Sequence, residues 1–257
     1  MKNIFNLALF CFLLSYIFTG CANEDMTPLY GEQIEGKIVI RGYNALPDSL
    51  QIEANGKLLE IGNSAAFVGN IEKDYAFVFY DKAIKNIKII NKSTGQIVHT
   101  YTYTVNNPVD TLSFYQNKNI WLDNVLSYNP GTLSGTGRTG YRFIFPTMNH
   151  YSNSGYTGAV DAIIRKVNGQ VLGVAENIVK DQFSNFVEFA YAPPPILNVE
   201  LVKHGTTESY ISGRQVIVQL VMQNNKSRLI VLDEKASESG TFTGVEGSIN
   251  LVDYFNF

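Results

Sequence analysis

The residues best suited to contact a ligand lie in one segment, between Phe143 and Tyr156. The segment is rich in polar, small and aromatic residues, with Tyr151 and Tyr156 placed among the amides of Asn149 and Asn153. An aromatic ring offers an apolar face to a sugar ring, and neighbouring amides can bond the sugar hydroxyls. The sequence therefore predicts glycan contact through Asn149, Tyr151, Asn153 and Tyr156. The same composition also fits an ordinary tyrosine-rich loop that packs on its own sheet, and this alternative stays open.

Groups that could perform catalysis or hold a metal are scattered along the chain. His99, His150 and His204 lie far apart, without the nearby second ligand that is typical of zinc sites. Acids such as Asp123 and Asp161 occur singly, and no serine-hydrolase, metalloprotease or calcium-loop pattern is present. We therefore expect no enzymatic activity, no catalytic residue, no cofactor and no metal. An enzyme remains the weaker alternative, because convergent active sites can be assembled from distant residues.

The segment Gly135-Thr136-Gly137-Arg138-Thr139-Gly140 matches the dinucleotide-binding fingerprint letter for letter. In that fold the glycines must open a helix, whose N-terminus receives the pyrophosphate. Here the next residues, Tyr141-Arg142-Phe143-Ile144-Phe145, have the composition of a strand. We therefore interpret residues 129–140 as a flexible surface loop.

The elements that must position these residues are predicted to be strands. The chain contains 15 Tyr and 16 Phe, together with many Val, Ile, Thr, Asn and Gly. Such residues favour pleated sheets and their turns. Asn55-Gly56 and Asn168-Gly169 each separate two strand-like runs, which is a strong β-hairpin signal. The predicted fold class is all-β, with two tandem β-sandwich domains of immunoglobulin-like or related type.

A polar interval at residues 116–119 separates two dense sets of predicted strands. We place an N-terminal β-sandwich domain at residues 34–116 and a C-terminal β-sandwich domain at residues 120–257. Three local predictions accompany this division: a central strand at residues 75–80, a strand at 122–128, and a helical turn or two within 176–189 as an even alternative. The apolar C-terminal residues 254–257 are predicted to pack as part of a last strand.

Charge and cysteine content narrow the classes of partner. The net charge is −3 with both signs distributed along the chain, which gives no indication of binding to nucleic acid or to an anionic membrane surface. The only cysteines are Cys11 and Cys21, so the predicted domains contain neither a disulfide nor a thiolate metal site.

The first 21 residues carry a targeting signal. Met1-Lys2-Asn3 precedes an apolar run that ends at Thr19-Gly20-Cys21, a pattern typical of a cleaved secretory signal and too short for a permanent membrane span. Phe18-Thr19-Gly20-Cys21 resembles the bacterial lipobox, with Phe where the family usually has Leu. This resemblance implies a signal peptide at residues 1–20, lipidation of Cys21 and a tether at residues 21–33.

The residues after Cys21 resemble an export signal. Ala22-Asn23-Glu24-Asp25 is similar to the acidic signal of Bacteroidota lipoproteins that are displayed on the outer face of the outer membrane. With the all-β body, the resemblance implies a surface-exposed lipoprotein that is membrane-attached through its anchor. Its expected role is a non-catalytic binding or accessory module, such as one for glycan capture beside an outer-membrane importer. The alternative is a structural subunit or adhesin of a surface fibre.

Overall fold

The computed structural model describes residues 33–80 and 84–257. The predicted signal peptide and Cys21 lie outside the described residues, as does the predicted tether apart from Gln33. The described chain is all-β and forms four sheets in two pairs, consistent with the predicted tandem sandwiches. No helix within the described residues is long and apolar enough to cross a membrane.

The N-terminal sandwich consists of two four-stranded sheets. Its strands are β1 (Gln33–Asn44), β2 (Leu50–Ala54), β3 (Lys57–Leu58), β4 (Gly69–Tyr80), β5 (Lys85–Asn91), β6 (Ile97–Tyr103), β7 (Val109–Asn117) and β8 (Ile120–Asp123). The sheet orders are β4-β1-β7-β8 and β3-β2-β5-β6. Alternate residues point inward, and Ile38, Ile40 and Ile52 are wholly buried in the core between the sheets. The predicted hairpin at Asn55-Gly56 joins β2 to β3, with positive φ at both turn residues.

The C-terminal sandwich has the same two-sheet plan. Its strands are β9 (Arg138–Ile144), β10 (Val160–Lys166), β11 (Val171–Ile178), β12 (Val187–Ala190), β13 (Ile196–Lys203), β14 (Ile217–Val221), β15 (Lys226–Ala236) and β16 (Phe242–Asn250). The sheet orders are β11-β10-β13-β14 and β12-β9-β15-β16. The predicted hairpin across Asn168-Gly169 joins β10 to β11.

The sheet β12-β9-β15-β16 is covered on both faces. In β15, Ile230 and Leu232 belong to the core of the C-terminal sandwich, while Leu229 and Val231 point the opposite way into a second apolar cluster. All four side chains are fully buried. A strand with two covered faces reads as a continuous apolar run rather than an alternating one.

This second cluster, which we call the interface cluster, joins the two sandwiches. Its buried members are Tyr115, Ile120, Leu122, Val125, Ile144, Phe183, Leu229, Val231, Ile249, Leu251 and Phe255. The N-terminal sandwich contributes residues of β7 and β8, and the C-terminal sandwich contributes the outer face of its doubly covered sheet. The two domains are therefore held together by packed side chains as well as by the chain.

The polar interval at residues 116–119 is the turn of a hairpin. β8 pairs antiparallel with β7, from Asn117 opposite Ile120 to Phe114 opposite Asp123. Residues 120–123 therefore pair within the N-terminal sandwich. The predicted division assigns them to the C-terminal domain, which begins at residue 120 in that prediction. The prediction of a strand at residues 122–128 is wrong, because the strand ends at Asp123 and a 3-10 turn follows at Val125–Ser127.

Three further local predictions are corrected. β4 is an edge strand and not a central one, since it pairs only with β1. Residues 176–189 contain no helix, because β11 extends to Ile178 and bends lead to β12. The C-terminal residues do not continue the last strand: a 3-10 turn at Leu251–Asp253 ends it, and Phe255 then packs into the interface cluster.

Candidate functional site

The loop that carries the predicted ligand contacts, residues 147–158, is organised around one buried carboxylate. Glu234 lies in β15 with no exposed surface. It accepts hydrogen bonds from the backbone N–H groups of Asn149 at 3.0 Å, Tyr151 at 2.8 Å and Ser152 at 2.9 Å. The hydroxyls of Ser152 at 2.6 Å and Tyr210 at 2.9 Å also donate to it. We call this set of hydrogen bonds the Glu234 network.

The Glu234 network keeps its carboxylate ionised. Burial alone would raise the pKa of Glu234, but the hydrogen bonds from Ser152, Tyr151 and Asn149 outweigh burial and lower this pKa below its ordinary value. Burial and the charge of Glu234 raise the pKa of Tyr210, which therefore remains a donor. Glu234 therefore holds the loop in place, and neither of its carboxylate oxygens is exposed for contact with a ligand.

The two candidate asparagines differ in what they can offer. The amide of Asn149 is used inside the loop, because its nitrogen donates to the Tyr156 carbonyl and its oxygen accepts from the Ser154 hydroxyl. Asn153 is exposed, and among the described residues its side chain forms one hydrogen bond, a long one of 3.5 Å to the Tyr151 carbonyl. Both residues have positive φ, at 65° and 47°, which asparagine tolerates in tight turns. Asn149 therefore shapes the loop, while Asn153 faces solvent.

The two candidate tyrosines are partly buried and lie on either side of the loop. The Tyr151 hydroxyl accepts a 2.8 Å hydrogen bond from the Asn119 amide in the β7–β8 turn, which links the two sandwiches. The Tyr156 hydroxyl donates to the Ala159 carbonyl at 2.8 Å, and its ring packs against the core of the C-terminal sandwich. Gly158 leaves room for this ring, because a Cβ there would lie 2.5 Å from the Tyr156 hydroxyl.

Beside the loop lies an open polar concavity of about 550 Å³. It is formed by the end of β13 and the connection to β14, and it is lined by Glu200, Lys203, Thr207, Glu208, Ser209, Ile211, Ser212, Gly213, Arg214 and Gln215. Its volume falls within the usual range for ligand sites. Lys203 connects the concavity to the candidate loop, since its Nζ lies 6.0 Å from the centre of the Tyr156 ring. No sequence motif marks these residues, and sequence analysis missed them.

Most charged groups in the concavity have partners. Lys203 forms a 3.0 Å salt bridge with Glu208, and Gln215 donates to Glu200 at 2.7 Å. Arg214 lies over the Phe242 ring at 4.6 Å and donates to the carbonyls of Phe242 and Thr243. Among the described residues Arg214 forms no salt bridge, so it is a fixed cation with N–H groups left for a ligand.

A carboxylate–histidine pair lies on the other side of Tyr156. Asp161 is buried and accepts hydrogen bonds from the backbone N–H groups of Asn177 at 3.0 Å and Gly205 at 2.9 Å. Its Oδ1 lies 2.9 Å from Nδ1 of the exposed His204. Burial opposes ionisation of Asp161, but the hydrogen bonds from Gly205, His204 and Asn177 lower its pKa. The hydrogen bond to Asp161 and its negative charge raise the pKa of His204.

An Asp–His pair is two thirds of a hydrolytic triad and needs a nucleophile beside Nε2 of the histidine. In the part of the chain that the structure describes, no hydroxyl or thiol is hydrogen-bonded to Nε2 of His204. The pair instead ties β10 to the segment that follows β13. Nor do the described residues contain a group of three or more His, Cys, Asp or Glu side chains that could hold a metal.

The pair at His204 predicts a specific dependence of stability on pH. The pKa of His204 is raised in the folded state. The contribution of His204 to the free energy of unfolding is therefore fully present below the ordinary histidine pKa, and it is lost as pH rises through the raised value. The lowered pKa of Asp161 acts at the acid end, where its contribution is lost as pH falls through that value. In denaturant unfolding above about pH 6, wild type should lose stability with rising pH more than His204→Gln does. His150→Gln is the matched control, and equal slopes for wild type and His204→Gln would contradict this expectation.

A second carboxylate–histidine pair, Asp123 with His99, lies at one edge of the N-terminal sandwich. The Trp121 ring is stacked between Phe114 at 4.9 Å and His99 at 5.1 Å, so both of its faces are covered. Its Nε1 donates to Asp123 at 2.7 Å, and His99 lies 3.5 Å from the same carboxylate. This constellation joins the edge strands β6 and β8 and leaves no open ring face for a sugar.

The glycine-rich loop has no dinucleotide geometry. β9 begins at Arg138, directly after Gly137, where a dinucleotide fold would have a helix. The interpretation as a flexible loop is also incomplete, because the Phe186 ring packs against Gly131 and Gly140. A Cβ at either glycine would lie 2.3 Å from that ring. These two glycines therefore permit a close approach of the ring to the backbone.

The fold and the concavity define an all-β protein of two joined β-sandwiches with a polar surface site. No protein-family model matches the chain. No curated protein matches it. Among solved structures, the chain is similar to the Bacillus anthracis TIE protein, with 10% identity and a TM-score of 0.24 over 77% of this chain and 33% of that one. The chain thus spans about a third of the length of that structure.

A second solved structure is CBMbc (family CBM26) from Eubacterium rectale Amy13K, in complex with maltoheptaose. The identity is 7% and the TM-score 0.21, over 82% of this chain and 94% of that one. TM-scores this low carry no argument about function, so the proposals below are based on the site itself.

Proposed function

We propose that this protein is a non-catalytic surface lipoprotein that captures glycans at its C-terminal sandwich. In this proposal acylated Cys21 anchors it to the outer membrane, facing the exterior, as a binding or accessory module beside an importer. The observation that carries the proposal is the open polar concavity between β13 and β14, next to the loop of Tyr151 and Tyr156.

The chemistry of the concavity fits a hydroxylated ligand. Sugar hydroxyls both donate and accept hydrogen bonds, and the concavity offers the amide oxygen of Gln215, the hydroxyl of Ser212 and the guanidinium of Arg214. The Glu200 carboxylate is itself paired with Gln215 and Arg165. Arg214 is held by the Phe242 ring and two carbonyls, so less freedom is lost when a ligand binds.

The candidates from the sequence take different parts in this proposal. Tyr156 borders the concavity through Lys203, while the Tyr151 hydroxyl is bonded to Asn119 and Asn153 is exposed on the loop. The amide of Asn149 is occupied inside the loop, so its role is to hold the loop in shape. Tyr156→Ala would also remove core packing and is therefore a poor test of binding alone.

Glycan binding is tested with a glycan array followed by titration of the bound glycan. Arg214→Ala and Gln215→Ala should each weaken binding by about five- to tenfold, the loss expected for one good hydrogen bond to a ligand. Both side chains are exposed, so the melting temperature should stay nearly unchanged. Arg41→Ala, on the N-terminal sandwich, is the matched control. Absence of glycan binding, or equal losses for all three variants, would contradict the proposal.

The fibre-subunit alternative gains less support, because edge strands such as β4 and β14 could accept a strand but neither end of the described chain offers one to donate. Assembly by strand exchange needs a strand that can leave its sheet or an open edge that accepts one. β1, the first strand of the described chain, lies between β4 and β7, so its release would open the sheet. At the other terminus, Phe255 is buried in the interface cluster.

A further inference from the structure

One end of the N-terminal sandwich combines exposed apolar side chains with the point where the chain enters the fold. Tyr80 is 49% exposed, Ile84 58% and Val109 63%. Tyr80 pairs with Gln33 at the start of β1, and Val109 pairs with Lys37 four residues further along. Ile84 directly precedes β5. The first residue of β5 is Lys85, and its ammonium lies 6.0 Å from the centre of the Tyr80 ring. We call this surface the entry end.

The side chains of the entry end are those of a membrane–water interface. Aliphatic side chains enter the acyl boundary, tyrosine rings lie at the headgroup level, and lysines extend toward lipid phosphates. Here Ile84 and Val109 are the exposed aliphatic groups, Tyr80 supplies the ring, and Lys85 supplies the cation beside that ring. Lys37 also lies on this surface, but its ammonium is paired with Asp74 at 2.7 Å. An open groove of about 580 Å³ over β1 and β4 continues this surface, and its lining includes Ala76, Phe77 and Val78 together with the acid Glu35.

The C-terminal sandwich is attached at the opposite end. β1 and β7 run parallel from the entry end, and the aromatic residues that meet the C-terminal sandwich, Tyr43 and Tyr115, lie near their far ends. At about 3.3 Å per residue, the 12 residues of β1 span close to 40 Å. The polar concavity therefore belongs to the domain farther from the entry end.

The position of the proposed lipid anchor indicates that the partner of the entry end is a lipid surface. Residues 21–33 can reach at most roughly 40 Å when fully extended, so an anchor at Cys21 keeps the entry end within that distance of the bilayer and lets it reach the lipid surface. We infer that the entry end rests on the lipid surface, with Ile84 and Val109 at the acyl boundary and Tyr80 among the headgroups. This inference rests on the proposed lipid anchor. A few exposed apolar groups bind a membrane weakly alone, but the anchor supplies a high local concentration.

The inference is tested with single cysteines in the lipidated protein. The chain after Cys21 contains no cysteine, and acylation blocks the Cys21 thiol, so Ile84→Cys, Val109→Cys and Val68→Cys can each carry one fluorophore. Val68 is the matched control, because it is 54% exposed and lies far from the entry end. It comes just before the first residue of β4, which pairs with Asn44 at the last position of β1. The protein is placed in phosphatidylethanolamine–phosphatidylglycerol vesicles that contain a lipid-borne quencher.

Quenching at Ile84 and Val109 should exceed quenching at Val68 severalfold. Equal quenching at all three positions in protein that is retained by the vesicles would overturn the membrane-facing surface and leave the anchor intact. Failure of the protein with Cys21 to be retained by the vesicles would overturn the anchor and this inference together. Cys21→Ser should release the protein, which separates retention by the lipid from retention by the fold.

Discussion

Replacing Glu234 with alanine should lower the free energy of unfolding by about 3–5 kcal/mol, because hydrogen bonds to a buried charge are strong and their donors would be left without acceptors. The variant loses the common acceptor of three backbone N–H groups and two hydroxyls, those of Ser152 and Tyr210. A domain pair of this size should melt roughly 10 °C lower. Thermal and denaturant unfolding measure both quantities.

Two further variants sharpen this test. Glu234→Gln keeps the shape but places an amide N–H among N–H donors, so it should also destabilise, by less than alanine. Glu238→Ala, in an exposed turn of the same segment, should change stability by no more than about 0.5 kcal/mol. If both Glu234 variants were as stable as Glu238→Ala, the loop would not depend on the Glu234 network.

Val125→Asp should undock the two sandwiches. Val125 is wholly buried in the interface cluster and lies in the 3-10 turn that connects β8 to the C-terminal sandwich. An unpaired carboxylate at this position costs several kcal/mol unless the interface opens to water. We therefore expect one melting transition for the wild type and two for Val125→Asp, with faster proteolysis of the connection.

Calorimetry and limited proteolysis measure this effect. Val221→Asp is the matched control, since Val221 is an exposed valine in the edge strand β14 and its replacement should keep one transition. One transition at the wild-type temperature for Val125→Asp would show that the sandwiches do not depend on each other through this cluster.

Local pattern was sufficient to predict the fold class and most of the strands, although not the end of β8 or of β16. His99, Tyr101 and Tyr103 alternate with threonines in β6, and Asn55-Gly56 supplies a turn that needs positive φ at both positions. Local pattern could not show how many neighbours a strand has. The apolar run in β4 looks central, yet it lies at an edge, where Phe77 and Phe79 point inward and Val78 points outward.

The domain division and the site depend on contacts between distant residues. Trp121 and Leu122 read equally well as the start of a new domain, and only pairing with β7 assigns them to the first. The composition of residues 147–158 drew attention to a ligand loop. However, Glu234, which holds that loop, lies 85 residues from Asn149 and sits in a strand where a buried acid carries no local signature. Arg214 was missed for the same reason, because its support by Phe242 is a tertiary contact.

The parallel course of β1 and β7 determines how the molecule responds to tension. In the proposed setting, a bound polymer pulls on the C-terminal sandwich while the anchor holds the start of β1. The pull is then directed along β1, which is hydrogen-bonded to β4 on one side and to β7 on the other. The hydrogen bonds of both ladders share such a shearing force at once, instead of breaking one after another as they would if the strand were peeled from its end. In that proposed setting, we expect the entry of the chain into a central strand to give the attachment mechanical strength.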